Sequence, residues 1–191
     1  MDAVLNSTAL LVLILAADFA ITLLHSYQEL KGVGAPLWRN FGAIVGLDVP
    51  DRLGFAFFTV GLSLALLTIG FVGYTGLFGP GLTAFALGAL IGARLSDTLI
   101  SHVLLHGVGY RPNPGLSSTP LYVLEALFIF VVFKTRLNVA PGCAKLGGAL
   151  GVFAFLSVLP LLWFGRWVKP AWRRPPWQRW QPLPSWTLTN T

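Results

Sequence analysis

His25 and Glu29 stand four residues apart in the stretch LLHSYQEL, residues 23–30, so a helix there carries both on one face. Asp18 and Thr22 extend that line upstream, at spacings of 4 and 3, into one narrow stripe. Later in the chain His102 and His106 repeat the four-residue spacing, and Arg94 and Thr98 continue their row. Glu125 lies a turn or two into a further apolar stretch.

Three kinds of chemistry suit this set. Two or three imidazoles with carboxylates form a ligand set for Zn or Fe, and a His₂-carboxylate arrangement leaves coordination positions open. The metal ligands expected on this reading are His25, Glu29 and His102, completed by His106 or Glu125. Without a metal, His25, Glu29, His102 and Glu125 are candidate catalytic groups for acid–base work on a lipid. A third role is interhelical hydrogen bonding that only holds a bundle together.

The elements that must position these groups are apolar helices. Of 191 residues, 55% are hydrophobic and 10% charged, against about 25% charged in a soluble domain. Several stretches approach the roughly 20 apolar residues that cross a hydrocarbon core. The expected fold class is all-α, a polytopic membrane helical bundle of about five transmembrane helices. These span about Thr8–Gln28, Leu53–Gly73, Gly81–His106, Thr119–Phe133 and Leu146–Gly165, with Pro160 a kink near the end of the last. Residues 1–166 form the bundle and 167–191 a tail rich in Trp, Arg and Pro. Glycine and proline mark the joints in GVGAP, YTGLFGPG, YRPNPG and VAPG. Gly88 and Gly92, at GxxxG spacing, permit close helix packing.

The first apolar run lacks a basic leader and exceeds the length of a signal-peptide core, so it reads as a retained helix. If the helices alternate, nine basic loop and tail residues share one side, against Lys134, Arg136 and Lys145 on the other. The positive-inside rule then puts the chain in the inner (plasma) membrane, multi-pass, with the N-terminus outside and the tail cytoplasmic. The net charge of +6 has its cause there, and nucleic acid is not an expected partner. The tail RWVKPAWRRPPWQRWQPLPSW reads as an interfacial anchor on membrane lipid, or as a docking strip for a protein partner.

Carboxylates within apolar spans are costly and tend to face the bundle interior: here Asp18, Glu29, Asp97 and Glu125. Alternating spans bring His25, Glu29, His102, His106 and Glu125 to one depth near the cytoplasmic face. Asp18 lies seven residues before His25 and Arg94 eight before His102, so an Asp18–Arg94 buried pair is expected one layer deeper, with Asp97 an alternative partner for Arg94. The single cysteine, Cys143, excludes an internal disulfide and a thiolate zinc cage. No phosphate loop, nucleophile elbow, haem CxxCH or dinucleotide fingerprint occurs.

LLHSYQEL resembles the signature of the HXXEE-motif family of integral membrane proteins, with Gln28 at the first motif glutamate and Glu29 at the second. The stretch ISHVLLHGVGYRPNPGLSSTPLYVL resembles that family's later block, a helical histidine (here His102) followed by a loop ending in Pro114-Gly115. The resemblance covers roughly residues 10–135. Gln28 departs from a carboxylate, Thr98 stands where asparagine is frequent, and His106 is this chain's own addition. The resemblance implies a His/Glu site and specifies no reaction.

The expected function is therefore a small membrane enzyme acting on a lipid-soluble substrate, metal-dependent or acid–base. Two alternatives remain open: an accessory subunit of a larger membrane complex binding pigment, haem or a partner, and a proton-linked transporter.

Overall fold

The computed structural model describes residues 7–31, 60–107 and 113–156. Arg39, Arg52, Arg111, Pro160 and the whole 167–191 tail lie outside the described residues. Among the described residues every element is helical and no strand occurs.

Helix α1 spans Thr8–Lys31 and α2 spans Ser63–Thr75. Helix α3, Pro80–Ser96, runs directly into a π-helical segment, Asp97–Leu104, and a last short turn α4, Leu105–Gly107. After a loop, a 3₁₀ turn at Leu116–Ser118 leads into α5, Thr119–Val132. A short α6, Lys134–Val139, precedes α7, Pro141–Leu156. The helix α6 falls where the sequence suggests only a joint.

Two of these helices, Thr8–Glu29 and Pro80–Leu104, are long and apolar enough to cross a membrane. At about 1.5 Å rise per residue the first is roughly 33 Å long, against a hydrocarbon core of about 30 Å. The helical stretches Val60–Thr75 and Leu116–Val132 are apolar but shorter.

Helix α3 is the centre of the bundle, packing on α2, α5, α6 and α7. Its contact with α7 is the most extensive, and small residues are the reason. A Cβ at Gly88 would strike the Ala144 carbonyl, and one at Gly147 would strike the Phe85 carbonyl. The two backbones therefore touch, as in small-residue packing between apolar helices. An apolar core of Leu66, Tyr74, Leu87, Leu90, Ile129, Phe133 and Leu137 ties α2, α3, α5 and α6 together.

Helix α1 buries one stripe, Ile14, Asp18, Thr22, His25, Ser26 and Glu29, while Val12, Leu13, Leu23 and Leu24 are exposed on its other sides. From Asp18 onward its buried stripe is polar, and the leucines beside it face outward. That inverts the pattern of a water-soluble surface helix.

Candidate metal centre

Three elements and one loop meet around His25 and His102. Helix α1 delivers His25 and Glu29 one turn apart. The π-helical segment delivers Asp97 and His102, five residues apart. In an α-helix that spacing sets side chains about 140° apart. Hydrogen bonding from i to i+5 closes a wider turn, which brings residues five apart onto one side. The π segment is what lets both face α1.

The four groups His25, Glu29, Asp97 and His102 each offer one ligand atom, all within 4.8 Å of one another. The two Nε2 atoms are 3.1 Å apart. Glu29 Oε1 lies 3.6 Å from His25 Nε2 and 3.6 Å from His102 Nε2. Asp97 reaches His25 Nε2 at 3.0 Å through Oδ2 and His102 Nε2 at 3.8 Å through Oδ1. A tetrahedral zinc ion with bonds of about 2.0–2.1 Å separates its ligand atoms by about 3.4 Å. The observed separations scatter around that value, so the donor set fits a metal ion.

Hydrogen bonds on the far sides of the rings decide which nitrogen faces inward. Asn113 Nδ2 donates to the carbonyls of Ser101 and His102, at 3.0 and 3.1 Å, which orients its amide. Its Oδ1 is thereby left to accept the Nδ1 hydrogen of His102 at 2.7 Å. The Ser118 hydroxyl donates its one hydrogen to the Gly115 carbonyl at 2.8 Å, so its oxygen accepts from His25 Nδ1 at 2.7 Å. Both rings are held with Nδ1 protonated and Nε2 aimed into the cluster. Metal-binding histidines are oriented in this way. The two Nε2 atoms at 3.1 Å would repel if both were bare, so a proton or a metal ion must lie between or beside them. Glu29 Oε1 is also buried without a hydrogen-bond partner.

The loop closes the site from above. Gly115 has φ +87°, and a Cβ there would lie 2.7 Å from His102 Cε1 and 2.9 Å from His25 Cε1. Only glycine allows the backbone so near two imidazoles in that conformation. His102 is fully buried, His25 and Glu29 nearly so, and the Asp97 side chain is 16% accessible. Asp97 is the most open side of the cluster.

Not all the sequence candidates gather here. Glu125 does not join the histidines: its Oε2 lies 2.8 Å from Arg94 Nε. His106 is not among the four clustered groups. Asp97, which the sequence offers as an alternative partner for Arg94, joins the histidines instead. One layer away Arg94 pairs with Asp18, donates to Thr22 at 2.6 Å and stacks 4.2 Å over the Tyr122 ring. Tyr122 also packs on His25, with ring centroids 4.4 Å apart, and so separates the two polar layers. Asn113, Ser118 and Tyr122 went unassigned in the sequence. The one signal was local: Ser118, Tyr122 and Glu125 are spaced 4 and 3, a single face of α5.

Comparison with protein-family models, curated proteins and solved structures finds no match for this chain.

Proposed function

We propose that this chain is a multi-pass membrane enzyme that binds Zn or Fe through His25, Glu29, Asp97 and His102 and acts on a lipid-soluble substrate. The observation that carries the metal is the convergence of two Nε2 atoms 3.1 Å apart, each ring oriented by a hydrogen bond at its Nδ1. The bound ion would act as a Lewis acid on an oxygen-bearing substrate. His102 and His25 would hold it, and the Glu29 carboxylate would balance its charge. Asp97, the most open ligand, is the group that can shift aside or accept a proton.

The membrane setting draws support from two helices of spanning length and from leucines exposed beside the site, Leu23, Leu24 and Leu99. A substrate dissolved in lipid meets that surface first. Five spans, with the N-terminus outside and the tail cytoplasmic, complete the reading, as does membership in the HXXEE-motif family. Both blocks that carry the resemblance supply groups at this cluster: His25 and Glu29 from the first, His102 and Gly115 from the second.

A metal-free version rests on the 3.0 Å contact of His25 Nε2 with Asp97 Oδ2, the length of an imidazolium–carboxylate hydrogen bond. A haem- or pigment-binding subunit has less support, because imidazoles 3.1 Å apart beneath Gly115 leave no slot for a planar macrocycle.

Metal analysis of protein purified in mild detergent separates these readings. About one Zn or Fe per chain, lost in His102→Ala, is the expected result. A folded protein free of metal, and unable to take up Zn²⁺ or Fe²⁺, overturns the metal reading.

A further inference from the structure

The layer beyond Tyr122 holds an uneven set of charges. Asp18, Glu125 and Arg94 are 3%, 7% and 1% exposed, so two carboxylates share one guanidinium away from water. Arg94 pairs with Asp18 on one side and with Glu125 on the other. Asp18 Oδ1 and Glu125 Oε1 both accept from the same Arg94 Nη2, the second at 3.5 Å. Asp18 Oδ2 is buried without a hydrogen-bond partner, while the buried Glu125 Oε2 makes the ion-pair contact with Arg94 Nε.

The groups facing this pair are Thr22 from α1, Tyr74 from α2, Arg94 from α3 and Tyr122 from α5. Thr22 spends its hydroxyl hydrogen on the Asp18 carbonyl at 2.9 Å. Tyr74 donates to Glu125 Oε1 at 3.4 Å. Among the described residues Arg94 is the one cation facing the pair, so two ionised carboxylates would leave a buried net negative charge, which is costly. A proton on one of them removes that excess charge and lets the two carboxyl groups hydrogen-bond to each other.

We infer that Asp18 and Glu125 together bind one exchangeable proton, forming an intramembrane acid site distinct from the His25–His102 cluster. Gly70 makes room for it: a Cβ there would lie 2.5 Å from Asp18 Oδ2. The ligand is a proton, shared across the gap between the two carboxylates while Arg94 neutralises the remaining charge. The site stands whether or not the neighbouring cluster holds a metal.

Infrared spectroscopy of the purified full chain tests this. The expected result is a protonated-carboxyl C=O band that moves on exchange into D₂O and is equally present after metal removal by chelator. Asp18→Asn and Glu125→Gln should each abolish it, because the remaining carboxylate then becomes the sole counter-ion of Arg94. Both variants keep a polar amide of the same shape, and their thermal unfolding is recorded in parallel. Tyr74→Phe, which removes a donor to Glu125, should shift the band without deleting it. Absence of the band in the native chain, its survival in either amide variant, or an unmoved band in Tyr74→Phe overturns the proposal.

Discussion

His25 and His102 meet edge to face, with ring centroids 4.8 Å apart and planes at 89°, and their Nε2 atoms point toward the same small volume. Two helices far apart in sequence thus place two nitrogen ligands at the spacing of one coordination shell. The rest of the site is built around that pair.

Asp97 rather than His106 stands in the four-residue cluster that could hold a metal ion. Asp97→Asn should weaken Zn²⁺ binding by at least tenfold, whereas His106→Ala should leave it unchanged. Isothermal titration of metal-stripped protein measures both. Equal losses in the two variants would mean that the cluster rearranges around His106.

Asn113 acts through His102. Asn113→Ala removes the acceptor for Nδ1–H at 2.7 Å and frees the ring to change tautomer. Such partners are typically worth about 10–100-fold in metal affinity or activity. Ser118→Ala should act similarly on His25. Unchanged affinity in both variants would show that the rings are oriented by packing alone.

Gly115→Ala tests the roof of the site. Its φ of +87° and the approach of a Cβ to both imidazoles leave no space for even a methyl group. The backbone strain costs about 1–3 kcal/mol, and the loop must lift to relieve the clash. Expected outcomes are a lower unfolding temperature and loss of metal together. An alanine variant with native metal content would mean that the loop does not sit over His25 and His102.

The Arg94 layer predicts a pattern of non-additivity. Asp18→Asn or Glu125→Gln alone leaves Arg94 one carboxylate, so each should cost little stability. The double variant strands the guanidinium, and an unpaired buried charge costs about 3–5 kcal/mol. A double-mutant cycle on thermal or denaturant unfolding measures this coupling. Losses that simply add would mean the two carboxylates do not share Arg94.

Orientation is testable by accessibility. With the tail cytoplasmic, a cysteine introduced at Ala140 in a variant lacking Cys143 should react with an impermeant thiol reagent in intact cells, and one at Ser185 should not. The reverse labelling would invert the topology.

The sequence by itself determined an all-helical chain with apolar outer faces and a polar stripe on its first helix. That much follows from side-chain periodicity: residues three and four apart in α1 share a face whatever packs against it. The four-residue spacing of His25 and Glu29, and the depth match that put Asp18 near Arg94, were therefore readable in one dimension. Helix α3, with glycines at four-residue intervals, likewise announced a close neighbour, though not that α7 would be the partner.

The tertiary structure decided who completes each cluster. A periodicity of 3.6 turns Asp97 away from His102, and the π-helical segment turns it back, a change of backbone hydrogen bonding that local sequence does not announce. Arg94, in α3 just before that segment, pairs with Asp18 and also with Glu125. Glu125 was aligned by depth with the histidines, yet Tyr122, one turn earlier on α5, fills the space between. Ser118 and Asn113 lie on turns, and their roles depend on where the Gly115 backbone rests over the imidazoles. Spacing along a helix fixes which residues share a face, whereas the contacts across helices depend on packing at distances that no single segment encodes.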